Sequence, residues 1–118
     1  MKVIDNFLSA DQFKLVSDYM MGPYCTWSYN PFVDYQNSIF SAFDLDDYQF
    51  IHNFSQEDSI LSSILDKLKV KDILRIKANL NPRTSEIIER KFHTDVDDKC
   101  KTAVFYINTN NGWTEFED

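Results

Sequence analysis

The sequence predicts an α+β fold in which two helices near the N-terminus buttress a mostly antiparallel sheet, and three observations point to it. Apolar residues recur at three- and four-residue spacing in two early stretches, the spacing of a helix with one buried face. Beyond Asp72 the period falls to two, that of a strand with one polar face. The strand-like segments then follow one another closely and are divided by turns rich in Asn and Asp, which suits antiparallel neighbours.

Taken in chain order, residues 3–8 read as a short strand or an extended lead-in. Ser9 is the expected N-cap of a first helix, with Asp11 and Gln12 in the opening turn. Phe13, Val16 and Met20, with Leu15 and Tyr19 between them, carry the periodicity to Met21, where Gly22 and Pro23 end it. Residues 24–54 are aromatic and irregular, and read as short strands and loops; aromatics at this density mostly fill a core, and some can line a substrate pocket. Ile60, Leu61, Ile64, Leu65 and Leu68 share one face of a second helix over residues 59–68. Leu74, Ile76, Ala78 and Leu80 then alternate with Arg75, Lys77, Asn79 and Asn81 in a strand. Residues 84–90 are a polar connection or a bulged strand leading to Phe92 and His93. Residues 102–108 form the clearest β segment, Asn110-Asn111-Gly112 has hairpin-turn chemistry, and residues 113–116 start the return strand.

With 118 residues the chain is expected to be one domain, and 43% hydrophobic and 15% aromatic residues provide enough apolar surface for a core. Only two glycines and three prolines leave much of the turning to Asn and Asp. Nineteen acidic against twelve basic residues give a formal charge of -7, the wrong sign for nonspecific nucleic-acid binding or for an anionic membrane surface. Cys25 and Cys100 lie far apart with no CxxC spacing, no signal-peptide layout opens the chain, and no apolar run has the length of a membrane span. A soluble protein in a reducing cytoplasm is the expectation.

His93 and Asp95 stand two apart, and on a strand such residues project from one face, so an imidazole nitrogen and a carboxylate can converge on one ion. Alone, the pair has a plainer reading, a surface His beside an acidic turn. A hard-cation site on Asp95, Asp97 and Asp98 is a further reading, but the spacing is not that of an EF-hand loop, and a solvated connection accounts for the turn more simply. His52, among Phe50, Ile51 and Phe54, reads as a packed or half-exposed histidine rather than a ligand.

The order His93-x-Asp95, turn, Thr102-x-x-x-Tyr106-Ile107-Asn108, turn, Gly112-x-Thr114-x-Phe116 resembles the prolyl-4-hydroxylase-like branch of the iron(II)/2-oxoglutarate-dependent dioxygenases, and is most similar to small oxygenases of phages and marine bacteria. The resemblance is specific from His93 onward and looser over the lead-in and the strand at residues 74–80. It implies a double-stranded β-helix, or jelly roll, of which residues 1–72 are a helix-containing support and residues 73–118 the first half of the core. It further implies Fe(II) and 2-oxoglutarate as cofactors, with His93 and Asp95 as two of three iron ligands. Tyr106 and Thr102 match positions that contact the co-substrate, and Lys77 and Asn79 are weaker candidates that a solvated strand face explains equally well. The implied reaction is oxidative decarboxylation of 2-oxoglutarate coupled to hydroxylation of a C–H bond in a peptide, protein or small molecule, in the cytoplasm of a bacterium or of a phage-infected bacterial host.

In that family a second His and an Arg follow the Gly-x-Thr-x-Phe segment, and residues 1–118 contain neither at a matching place. Three explanations are open: an incomplete gene product, a degenerate domain, or an oligomer whose subunits complete one another. The first is favoured, and these residues alone are expected to be inactive. Half a jelly roll has open sheet edges, so a homo-oligomer, a dimer joined through residues 102–116, is also expected. The alternative function is a noncatalytic interaction or structural module that keeps a remnant of the oxygenase fold.

Overall fold

Two helices and a three-stranded antiparallel sheet make up the regular structure of a computed structural model that describes residues 1–31, 48–94, 96 and 99–117. Helix α1 (Ala10–Met20) begins where the sequence places it. The Ser9 hydroxyl accepts from the Gln12 N–H at 3.2 Å, and the Gln12 side-chain oxygen accepts from the Ser9 N–H at 3.2 Å. This reciprocal capping box satisfies two backbone donors that the first turn leaves without helical partners. At the other end the Met21 N–H donates to Ser17 and the Gly22 N–H to Tyr19. Gly22 is needed there, because a Cβ at this position would lie 2.5 Å from the Asp18 carbonyl oxygen.

A single 3-10 turn (Ser59–Leu61) leads into helix α2 (Ser62–Leu68), which closes at Lys69 in the left-handed conformation. The sequence predicts one helix over this stretch. In the structure the first turn is the tighter 3-10 form, and Leu61 at the junction is the residue of this face that becomes buried. Residues 3–8 form no strand; Asn6 has φ 53°, which interrupts an extended run. Lys67 of α2 donates to the Phe7 carbonyl and its ammonium lies 5.4 Å from the Phe7 ring centre, so the lead-in is tied to α2.

The strands are β1 (Ser28–Asn30), β2 (Gln49–Phe54) and β3 (Ile76–Leu80), in the order β1-β2-β3. β1 and β2 pair antiparallel, with Ser28 opposite Ile51, Tyr29 opposite Phe50 and Asn30 opposite Gln49. The Tyr29 and Phe50 rings meet edge to face at 5.7 Å, a cross-strand aromatic contact of the kind that stabilises such pairs. β3 lies within the alternating segment expected to be a strand.

The chain divides into two compact units, one of Met1–Trp27 with His52–Ala78 and one of Ser28–Ile51 with Asn79–Asp118. The first contains the buried apolar residues Leu8, Val16, Met20, Cys25 and Leu61, which come from the lead-in, one face of α1, the loop after it and the 3-10 turn. In the second, Arg90 donates to the Tyr48 carbonyl at 2.9 Å and Gln49 is buried. The predicted strand over residues 102–108 has no ladder among the described residues, and neither do residues 84–94 or 113–116. A β strand exists only where a neighbouring chain segment closes its N–H and C=O bonds, and propensity alone does not supply that neighbour. No helix among the described residues is long and apolar enough to cross a membrane.

Candidate functional site

His93 lies on an exposed, irregular segment rather than on a strand. Its Nδ1 is 3.0 Å from the Lys91 carbonyl oxygen. A carbonyl oxygen only accepts, so this contact puts the ring proton on Nδ1 and the lone pair of a neutral ring on Nε2. Metal-ligating histidines carry the same arrangement, the second nitrogen being turned to a backbone carbonyl or a carboxylate. The donor chemistry of His93 therefore fits ligation of a divalent metal through Nε2. Asp95, its predicted co-ligand, lies outside the described residues, as do Asp97 and Asp98. Among the described residues no three His, Cys, Asp or Glu side chains gather around one point.

Tyr106 and Thr102, the predicted co-substrate residues, are both exposed, with Tyr106 at 50%. The Tyr106 hydroxyl is 2.7 Å from the Thr114 Oγ1, so a hydrogen bond joins the two sides of the turn between them. The turn is built by Asn110, whose side-chain oxygen accepts from the Gly112 N–H at 2.9 Å and whose side-chain nitrogen donates to the Asn108 carbonyl at 3.0 Å. This is the local bonding by which Asn imitates a backbone turn. Lys77 is half-buried and Asn79 exposed on β3. Lys77 belongs to the first unit, whereas Asn79, His93, Thr102 and Tyr106 belong to the second.

Two features lie beyond the residues singled out from the sequence. Thr114 is there only a member of the Gly-x-Thr-x-Phe pattern, although it and Tyr106 are equidistant from Asn110, which is the spacing that brings two side chains together across a hairpin. The backbone oxygen of Lys91 also leaves no trace in a reading of side chains. His52 meets its expectation as a packed residue. Its Nδ1 donates to the Thr26 carbonyl at 2.6 Å, and its ring meets Phe54 at 4.5 Å and Trp27 at 6.1 Å. An open depression of about 300 Å³ lined by Gln12, Ser63, Asp66 and Lys67 lies in the first unit and includes none of the predicted site residues.

Comparison of the chain with protein-family models, with curated proteins and with solved structures finds no match.

Proposed function

We propose that this chain contributes to the site of an iron(II)/2-oxoglutarate-dependent oxygenase that hydroxylates a C–H bond, with His93 and Asp95 as two ligands of a facial metal triad. The observation that carries this reading is the 3.0 Å contact of His93 Nδ1 with the Lys91 carbonyl oxygen, an arrangement that metal-ligating histidines commonly share. The motif order from His93 to Phe116 supports it, as does the hydrogen bond between Tyr106 and Thr114, two residues that fall inside that motif. The jelly-roll architecture and the part played by Thr102, Lys77 and Asn79 in holding the co-substrate belong to the same proposal.

Iron with bound 2-oxoglutarate supplies the oxidising chemistry of such an enzyme. The chain's own work is to present His93 Nε2 and an Asp95 oxygen from one side. The hydroxyls of Tyr106 and Thr102 then offer donors to the distal carboxylate of the co-substrate.

Manganese(II) titration followed by electron paramagnetic resonance tests the metal claim without relying on turnover. His93→Ala is expected to weaken Mn(II) binding by more than about tenfold, in line with the sensitivity of metal sites to their ligand shells. Unchanged Mn(II) affinity in that variant would sink the oxygenase reading. It would favour the second reading, a noncatalytic interaction module, for which the observation is that residues 102–117 form no ladder while Val104, Tyr106, Trp113 and Phe116 stay at least half exposed.

A further inference from the structure

We propose that Asn111 is a site of spontaneous covalent modification, by closure to a succinimide and opening to isoaspartate, and that the side chain of Asn110 guards it by holding the amide proton of Gly112. This stands apart from the oxygenase reading and survives its failure. Asn111 is the one asparagine of the chain that is followed by glycine. Asn30 and Asn81 precede proline, which has no N–H to lose, and Asn6, Asn53 and Asn79 precede Phe or Leu, whose side chains crowd the approach. Gly112 has no Cβ, so its nitrogen is the least hindered and the backbone around it the freest to turn. Asn111 itself is exposed and lies at a bend.

In the reaction the Gly112 nitrogen gives its proton to hydroxide or water and bonds to Cγ of Asn111. The bond from Cγ to the side-chain nitrogen breaks, and that nitrogen leaves as ammonia with a proton taken from water. Water then opens the five-membered ring at one of its two carbonyls. Opening at Cγ leaves an ordinary Asp at position 111. Opening at the main-chain carbonyl gives isoaspartate, in which the backbone runs through the former side chain and gains one carbon. Water is the only co-reactant, and nothing is oxidised or reduced.

The fold holds this reaction back. The Gly112 N–H donates to Asn110 Oδ1 at 2.9 Å, and an amide oxygen accepts such a bond without being basic enough to take the proton, so the proton stays on the nitrogen that would have to attack. Asn110 is fixed at its other end as well, where Nδ2 donates to the Asn108 carbonyl at 3.0 Å. The hydrogen bond between Tyr106 and Thr114 joins the two arms and keeps the turn closed around these contacts. Once formed, isoaspartate sets Gly112 one backbone carbon farther from Asn110, so the guarding bond is not remade. The formal charge of the chain also moves from -7 to -8, as one neutral amide becomes one carboxylate.

The test is incubation of the whole chain in warm, mildly alkaline buffer, folded and in guanidinium chloride, followed by peptide mapping with mass spectrometry. A methyltransferase specific for isoaspartyl carboxylates gives a second readout of the product. In denaturant Asn111 is expected to react before any other asparagine, and in the folded chain it should react more slowly. Asn110→Ala is expected to speed the folded reaction by roughly twofold to tenfold, the factor that one net hydrogen bond controls, and to change the rate in denaturant by much less; circular dichroism checks that the variant remains folded. Equal rates at Asn111 in the folded and the denatured parent chain overturn the proposal, as does first reaction at another asparagine in denaturant. So does a folded Asn110→Ala chain that reacts no faster than the parent, or one whose excess rate persists undiminished in denaturant.

Discussion

His52 and His93 both turn Nδ1 to a backbone carbonyl, and what surrounds each ring then separates them. His52 is wedged against Phe54 and Trp27, so its ring serves as packing material with one satisfied donor. His93 is exposed, and the same tautomer there leaves a ring suited to a metal. The two cysteines divide in the same manner. Cys25 is buried and Cys100 exposed. Burial pushes the Cys25 thiol above its ordinary value of 9.0, because the thiolate loses water it would otherwise hold. The folded chain then keeps a proton that the unfolded chain gives up, so the unfolded state binds fewer protons in that range. Stability contributed by Cys25 is whole below pH 9.0 and is lost as pH rises through the folded-state value. Brief treatment with iodoacetamide is expected to modify Cys100 and spare Cys25 until denaturant is added. Thermal melts of Cys25→Ala should fall less steeply in alkaline buffers than those of the unaltered chain. Equal labelling of both thiols in the native protein would contradict the burial argument.

At the scale of elements, α1 owes its start to side-chain chemistry and its place to packing. The capping box at Ser9 fixes the first turn, and Val16 and Met20 then lie on the face that is buried. Leu15 shares the apolar character of that face but is 66% exposed, because the helix turns it away from Val16 and Met20, whereas Phe13, on their side at the first turn, is 37% exposed. Ser9→Ala removes the acceptor for the Gln12 N–H and is expected to cost about 1 kcal/mol in chemical denaturation. Ser9→Asp keeps an acceptor and adds charge at the positive end of the helix, so it should restore most of the loss. A loss that Asp does not recover would mean that the hydroxyl acts elsewhere than at the cap.

At the scale of the whole molecule, the described residues differ in how far they bury apolar surface. Among the described residues, the buried apolar side chains Leu8, Val16, Met20, Cys25 and Leu61 all lie in the first unit, whereas Ile87, Phe92, Val104, Tyr106, Trp113 and Phe116 of the second are at least half exposed. Apolar burial is the main favourable contribution to folding, so local opening should cost least where it is lacking. Hydrogen exchange on dilute protein is expected to show the amides of α1 as the slowest and those of residues 101–117 among the fastest. Uniform protection along the chain would contradict this division.

What was legible in the sequence follows from the range of the forces involved. Helix α1, its Ser9 cap, its end at Gly22, the second helical face and the strand around Ile76 to Leu80 are set by neighbours within a few residues, and each stands where the pattern puts it. The turn at Asn110 is equally local. The chemistry of His93 was half legible: residue type and spacing mark it as a candidate ligand, but the proton position comes from the Lys91 carbonyl, a backbone group that no side-chain pattern encodes. The segment over residues 102–108 shows the limit of local reading, for its alternation and β-branching are those of a strand while the structure gives it no ladder among the described residues. By itself, then, the sequence determined the helices, the caps and the turns, because their bonds close within one or two turns of chain. Only the tertiary structure decided which apolar residues are buried and which extended segments become strands, because both depend on surfaces that distant parts of the chain must bring.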